Sequence, residues 1–199
     1  MTADRRTLAV YEARAADYAD TFRTRTPDAP LQGFIDALPP GARVLDLGCG
    51  PANASAHMRE AGLDPDPVDA APAMVALANE RHRIGARIGT FDDLDAEAAY
   101  DAVWANFSLL HAPRAALPRH LAALARALRP GGLLHIGMKT GDGDIRDDLG
   151  RAYTLVTKAE LAGLLEDAGF TVTFRDEGRD VGLAGTEDPW VIYRARTHA

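Results

Sequence analysis

The stretch Val44-Leu45-Asp46-Leu47-Gly48-Cys49-Gly50 constrains this chain more than any other. A short apolar run interrupted by one acid ends in two glycines spaced one apart, which predicts a buried strand turning sharply over a ligand. Glycine at 48 and 50 admits positive φ and leaves no Cβ between the main chain and whatever lies above the strand end. Pro51 suits a first helical turn and Ala52 to Met58 contains no breaker, so a helix follows at once. Strand, glycine turn and helix open a nucleotide-type α/β domain, with the ligand outside the carboxyl end of the strand.

Two details bear on the ligand. A dinucleotide fingerprint wants Gly-x-Gly-x-x-Gly, and here the third glycine is Asn53. Asp46 just before the loop repels a nearby pyrophosphate and favours a cationic ligand. The sulfonium and ammonium groups of S-adenosylmethionine meet that requirement.

Val44 to Pro51 resembles the first motif of the class I S-adenosylmethionine-dependent methyltransferases, hydrophobic-Leu-Asp-Leu-Gly-Cys-Gly-Pro, with Ala52 where the family generally carries a further glycine. More of the chain supports the resemblance. After a helix closed by Gly62, a strand ends at Pro67-Val68-Asp69-Ala70, and a helix over 73–83 puts Met74, Leu77 and Ala78 on one face. Asp69 stands 23 residues beyond Asp46, the separation at which a carboxylate receives both hydroxyls of a ribose. The alternative is that Asp69 caps the helix opened by Pro72. A short third strand over 86–89 precedes Thr90-Phe91-Asp92-Asp93, where the family carries an acid for the adenine amino group. Asp92 or Asp93 serves there with Phe91 over the ring, or else the pair caps a short helix at 93–98. Tyr100 to Ala105 reads as a fourth strand, followed by Asn106-Phe107-Ser108-Leu109-Leu110-His111-Ala112-Pro113, and Leu128-Arg129-Pro130-Gly131-Gly132-Leu133 leads into a fifth. Both match family stretches, and the resemblance covers roughly residues 40–140.

The resemblance implies an α/β, Rossmann-like fold: a seven-stranded, mostly parallel sheet with helices on both faces and an antiparallel final strand. It implies a cofactor site built from Asp46, Gly48, Cys49, Gly50, Asn53, Asp69, Ala70, Met74, Phe91, Asp92 and Asn106. The 199 residues form one domain, with N-terminal lid helices over 1–38, a cofactor-binding core over 42–139 and a substrate side over 140–199.

Residues 4–22 carry Leu8, Tyr11, Ala15, Tyr18 and Phe22 at a near seven-residue period, an amphipathic helix over the cleft. Tyr11 and Tyr18 then face cofactor or acceptor, unless the stripe is plain packing. Thr140 to Tyr153 is too polar and glycine-rich for core and sits where binding loops cluster. It fails as a calcium loop, because Arg146, Asp147 and Tyr153 occupy positions five, six and twelve. Lys139, Arg146, Arg151 and Tyr153 are acceptor-binding candidates, the arginines as a clamp for carboxylate or phosphate. The alternative is pairing among the neighbouring aspartates. Thr157 to Glu160 is a capping box, and two strands, 170–175 and 190–196, close the sheet.

A net charge of −7 and a pI near 5.3 argue against a nucleic-acid partner. No apolar run approaches a membrane span and Met1 to Arg6 is no hydrophobic leader, so a cytoplasmic protein is expected. Cys49 alone excludes an internal disulfide framework, and no metal is expected. Methyl transfer from a sulfonium is an in-line displacement that needs positioning and, for an O–H or N–H acceptor, a base. His111 is the best-placed histidine. The expected acceptor is a small molecule with an O, N or C nucleophile. Two alternatives stand beside this: a non-catalytic S-adenosylmethionine-binding regulator, and an NAD-dependent dehydrogenase.

Overall fold

The structure, a computed structural model, describes residues 4–22 and 25–198. Met1 to Ala3, on which part of the leader argument rests, and Arg23 and Thr24 of the lid segment lie outside the described residues, as does Ala199.

Helices α1 (Arg5–Ala13), α2 (Ala15–Thr21) and α3 (Ala29–Ile35) precede strand β1 (Arg43–Leu47). There follow α4 (Asn53–Glu60), β2 (Asp64–Asp69), α5 (Pro72–His82), β3 (Arg87–Ile88) and β4 (Tyr100–Asn106). The remainder is α6 (Leu117–Ala127), β5 (Leu128–Lys139), a small hairpin of β6 (Asp144–Arg146) and β7 (Ala152–Thr154), then α7 (Lys158–Asp167), β8 (Phe170–Val181) and β9 (Glu187–Thr197). Seven strands make the main sheet in the order β3-β2-β1-β4-β5-β9-β8. The first five run parallel, and β9 is antiparallel to both neighbours. This is the expected α/β architecture with its antiparallel final strand, which lies inside the sheet.

Alternation along the central strands explains the layers. Leu45, Val103, Leu134 and Ile136 pack with Leu121 and Leu124 of α6 and Leu161 and Leu165 of α7. Their neighbours Val44, Ala102, Trp104 and Leu133 face the other way, onto Phe34 of α3 and Met58 of α4. The sheet is therefore covered on both faces, and the reversal of strand order beside β1 opens a crevice at the carboxyl ends of β1 and β4.

Three local expectations change. The helix over 4–22 is two helices, because Arg14 leaves helical geometry at φ −122°, ψ 20°. From sequence Pro113 is expected to open the helix after the fourth strand, but it starts a 3₁₀ turn, Arg114–Ala116, and the long helix begins at Leu117. The polar segment 140–153 runs into the β6–β7 hairpin, in which β6 is exposed throughout and shows no alternating apolar pattern while Tyr153 and Thr154 of β7 are buried. No helix among the described residues is long and apolar enough to cross a membrane.

Candidate active site

The floor of the crevice is the glycine turn after β1. Gly48 and Gly50 adopt φ of +80° and +53°. A Cβ on Gly48 would stand 2.3 Å from the Ser108 Cβ, so both the backbone angle and the space require glycine. The turn is pinned to β2: Gly48 and Cys49 N–H donate to the Val68 carbonyl at 2.8 and 3.0 Å. Asp69, next along, accepts from Gly50 N–H at 2.8 Å through one oxygen and from Ala71 N–H at 2.9 Å through the other. Each oxygen retains a lone pair for a ligand hydroxyl. Burial raises the Asp69 carboxyl, and the N–H donors oppose that shift.

Asp46 lies below the turn, only 2% exposed, and accepts from Ser55 Oγ at 2.6 Å. Burial pushes its carboxyl up to about 7. Ser55 opposes that shift with both its hydroxyl and its backbone N–H, and a ligand cation nearby would further favour the ionised form.

Above the floor, α1 and α2 roof a cleft. Of the residues singled out from sequence, Gly48, Gly50, Asp69, Ala70, Met74, Phe91, Asn106, Tyr11, Tyr18 and His111 line it together. Asn106 Oδ1 is 3.0 Å from His135 Nε2, and His135 stacks on Trp104 with ring centroids 3.7 Å apart.

His111 closes one end. Its Nδ1 faces the Ala152 carbonyl at 2.7 Å, which fixes the proton on Nδ1. Nε2 is then an acceptor, and Tyr11 Oη donates to it at 2.8 Å. Tyr11 Oη in turn accepts from Arg151 Nη1 at 3.2 Å, and Arg151 is paired with Asp147 at 2.7 Å. Burial, reinforced by the Arg151 and Lys139 charges and opposed by the Ala152 bond, pulls His111 down to about 4. The ring is neutral at physiological pH and able to take a proton.

The structure leaves eight of the singled-out residues out of the cleft lining. Asp46 is below the turn, as described. Cys49 packs against Ala52, Val75 and Ala78, with burial raising its thiol far above the usual range. Asn53 borders a separate polar hollow beside α5, its side chain bonded to the Phe22 carbonyl and His82. Asp92 pairs with Arg119 at 2.6 Å, while Asp93 forms a capping box with Thr90. Lys139 pairs with Asp188 at 2.6 Å and sits 4.1 Å over the Tyr153 ring. Arg146 grips Asp4 with two bonds of 3.0 Å, and Arg151 holds Asp147 and Tyr11. The arginine clamp thus spends its donors on aspartates and on the lid. Tyr153 packs 4.8 Å from the His111 ring centroid.

The cleft also takes in residues passed over in the sequence, among them Asp4, Thr7, Leu8, Thr90, Phe107 and Ser108. Ser108 Oγ is buried and has no hydrogen-bond partner among the described residues. Phe107 is held at φ +53°, unusual for a bulky residue and costly unless a site needs it. Both follow β4 directly, where a strand end at the crevice was the available signal. Asp4 and Thr7 carried none, since their partners lie 142 and 145 residues away.

The family model described as "Methyltransferase domain" matches residues 44–132. Over 98% of this chain and 88% of the other, the structure superposes on the Burkholderia thailandensis 1,6-didemethyltoxoflavin-N1-methyltransferase at 27% identity and a TM-score of 0.73. That structure holds 1,6-didemethyltoxoflavin and S-adenosylhomocysteine. The chain carries a methyltransferase domain. Other methyltransferase relatives agree: a malonyl-[acyl-carrier protein] O-methyltransferase of Pectobacterium atrosepticum is 33% identical over 125 residues, 61% of this chain and 48% of that one. A ubiquinone biosynthesis O-methyltransferase of Xanthomonas oryzae pv. oryzae is 36% identical over 104 residues, 48% of this chain and 42% of that one. The chain spans about half the length of these two relatives. The residues here fit an adenosyl ligand like the S-adenosylhomocysteine of the Burkholderia structure: the open lone pairs of Asp69, the bare Gly48 and the Ser108 hydroxyl face one cleft, with the buried Asp46 carboxyl beneath the glycine turn.

Proposed function

We propose that this methyltransferase transfers a methyl group from S-adenosylmethionine to a small-molecule acceptor bound under the lid, at an O, N or C nucleophile. The observation that carries this is the Tyr11–His111 couple, a hydroxyl and a neutral imidazole 2.8 Å apart in the same cleft as Asp69 and the glycine turn. When bound, the cofactor supplies an electrophilic methyl on sulfur, with a neutral thioether as leaving group. Asp69 would hold the ribose hydroxyls, and Asp46 would sit near the amino-acid end as counter-charge. Phe91 and Met74 offer apolar cover.

For an O–H or N–H acceptor, the proton needs a destination as the new bond to carbon forms. His111 Nε2 is already occupied by Tyr11, so the group nearest an acceptor is the Tyr11 oxygen. The acceptor's proton passes to Tyr11 Oη while the Tyr11 proton passes to Nε2, and the Ala152 carbonyl stabilises the resulting imidazolium through Nδ1–H. The aromatic and apolar lining of Tyr11, Tyr18, Phe91, Phe107 and Leu8 suits a compact, largely apolar acceptor.

Calorimetric titration with S-adenosylhomocysteine, run beside NAD and beside Asp69→Ala, tests the reading. Micromolar binding that the variant loses is expected. Binding of NAD, or no binding, overturns it. A regulator without turnover would bind the homocysteine form and yield no methylated product from any acceptor pool.

A further inference from the structure

Ala152 in β7 serves the cleft with both of its backbone groups. Its carbonyl accepts from His111 Nδ1 at 2.7 Å, and its N–H donates to Thr7 Oγ of the lid at 2.8 Å. Thr7 is 4% exposed, and its hydroxyl donates to Asp4 at 2.7 Å. Asp4 receives the two-pronged bond from Arg146 of β6. Both strands of the hairpin therefore fasten α1. On the far side of the lid the ties are exposed: Glu12 accepts from Ala73 N–H at 3.1 Å and Asp20 pairs with Arg81 at 2.8 Å. Water competes with those contacts far more than with the sheltered Thr7–Ala152 bond.

We propose that the β6–β7 hairpin is a latch for the lid, and that Thr7 is a positioning residue that fixes the tautomer and seat of His111 through Ala152. The proposal rests on the cleft holding an adenosyl ligand. Tyr11 and Tyr18 line that cleft from above, so lifting α1 would widen the way in and out for a ligand. Lifting breaks Thr7–Ala152 and Tyr11–His111 together. The proton-accepting couple is then assembled only while the lid is shut, and the group that closes the site is also the group that arms it.

The test uses the full chain in four forms: wild type, Thr7→Val, Thr7→Ser and Arg146→Gln. Stopped-flow release of S-adenosylhomocysteine reads the latch, and nitrogen-15 histidine NMR reads His111, assigned with His111→Gln. Wild type is expected to show a single Nδ1-protonated ring. Thr7→Val is expected to release the ligand about tenfold faster, the loss of roughly one hydrogen bond, and to mix the two tautomers. Thr7→Ser restores both signals. Arg146→Gln speeds release while His111 keeps its Nδ1 proton, and it carries the latch test should Thr7→Val fold poorly. Unchanged release in Thr7→Val and Arg146→Gln overturns the latch, and faster release with an unchanged His111 spectrum overturns the positioning role. A wild type that binds no S-adenosylhomocysteine overturns the proposed function instead, and the His111 spectra of the ligand-free forms still decide the Thr7–Ala152–His111 link.

Discussion

Asp46 is the residue at which burial and function pull in opposite directions. Its folded pKa of about 7 lies above the ordinary 3.8, so between those values the folded state keeps a proton that the unfolded chain has lost. Stability contributed by Asp46 is therefore largest at low pH and falls as pH rises through that window, by up to about 1.4 kcal/mol per pH unit. His111, depressed to about 4, acts oppositely below 6.5, so the informative quantity is the difference between wild type and Asp46→Asn. We expect denaturant melts from pH 4 to 8 to show wild type losing stability relative to the variant as pH rises. A flat difference would refute the account. Tyr11→Phe removes the hydroxyl proposed to take the acceptor's proton on its way to His111 and is expected to lower kcat by about 100-fold, with S-adenosylhomocysteine affinity changed far less. Equal losses in both would place Tyr11 in binding alone. Gly48→Ala meets Ser108 and an unfavourable φ together, and titration should find its S-adenosylhomocysteine binding at least about tenfold weaker. These positions differ in how plainly the sequence announces them. Gly48, Gly50 and Asp69 stand out because strand, turn and acid are close together in the chain. Arg151 pairs with Asp147 four residues away, the aspartate pairing open from sequence, whereas the Arg146–Asp4 pair spans 142 residues and gives no local signal.

Among elements, the helix starts follow local rules. Thr157 accepts from Glu160 N–H and Glu160 returns to Thr157 N–H, the reciprocal cap anticipated for α7. Thr157→Ala is expected to cost about 1 kcal/mol in chemical denaturation, and a loss of a few tenths or less would show that packing of Leu161 and Leu165 alone sets the helix start. Elements made of polar residues are harder to foresee. β6 is exposed at all three positions, so no apolar alternation marks it, and its pairing with β7 comes from backbone bonds and from ties to the lid. The break at Arg14 is likewise invisible in an amphipathic pattern that continues through it, because Ala15 and Ala19 stay buried on the second helix.

For the molecule as a whole, the domain match over 44–132 ends before the sheet does. β5 pairs with β9 along seven positions, from Leu133 with Arg196 to Lys139 with Trp190. A fragment holding residues 44–132 alone would lack most of β5 and all of β9, and would lose Leu161 and Leu165 of α7 from the core cluster that also holds Leu45, Val103 and Leu121. Circular dichroism and proton NMR of that fragment should report an unfolded or molten chain, and a dispersed native-like spectrum would contradict this. The doubly covered sheet was foreseeable, since buried runs alternating with helical segments leave few arrangements.

The interior place of β9 also orders events in time. β8 precedes it in the chain, yet β8 lies at the margin of the sheet and β9 is its sheet neighbour. During synthesis β8 emerges before its sheet neighbour and stays unpaired until β9 folds back upon it, from Phe170 with Thr197 to Val181 with Glu187. β5 likewise keeps an open edge until β9 arrives, so the sheet is completed only when its last strand enters between two that precede it in the chain.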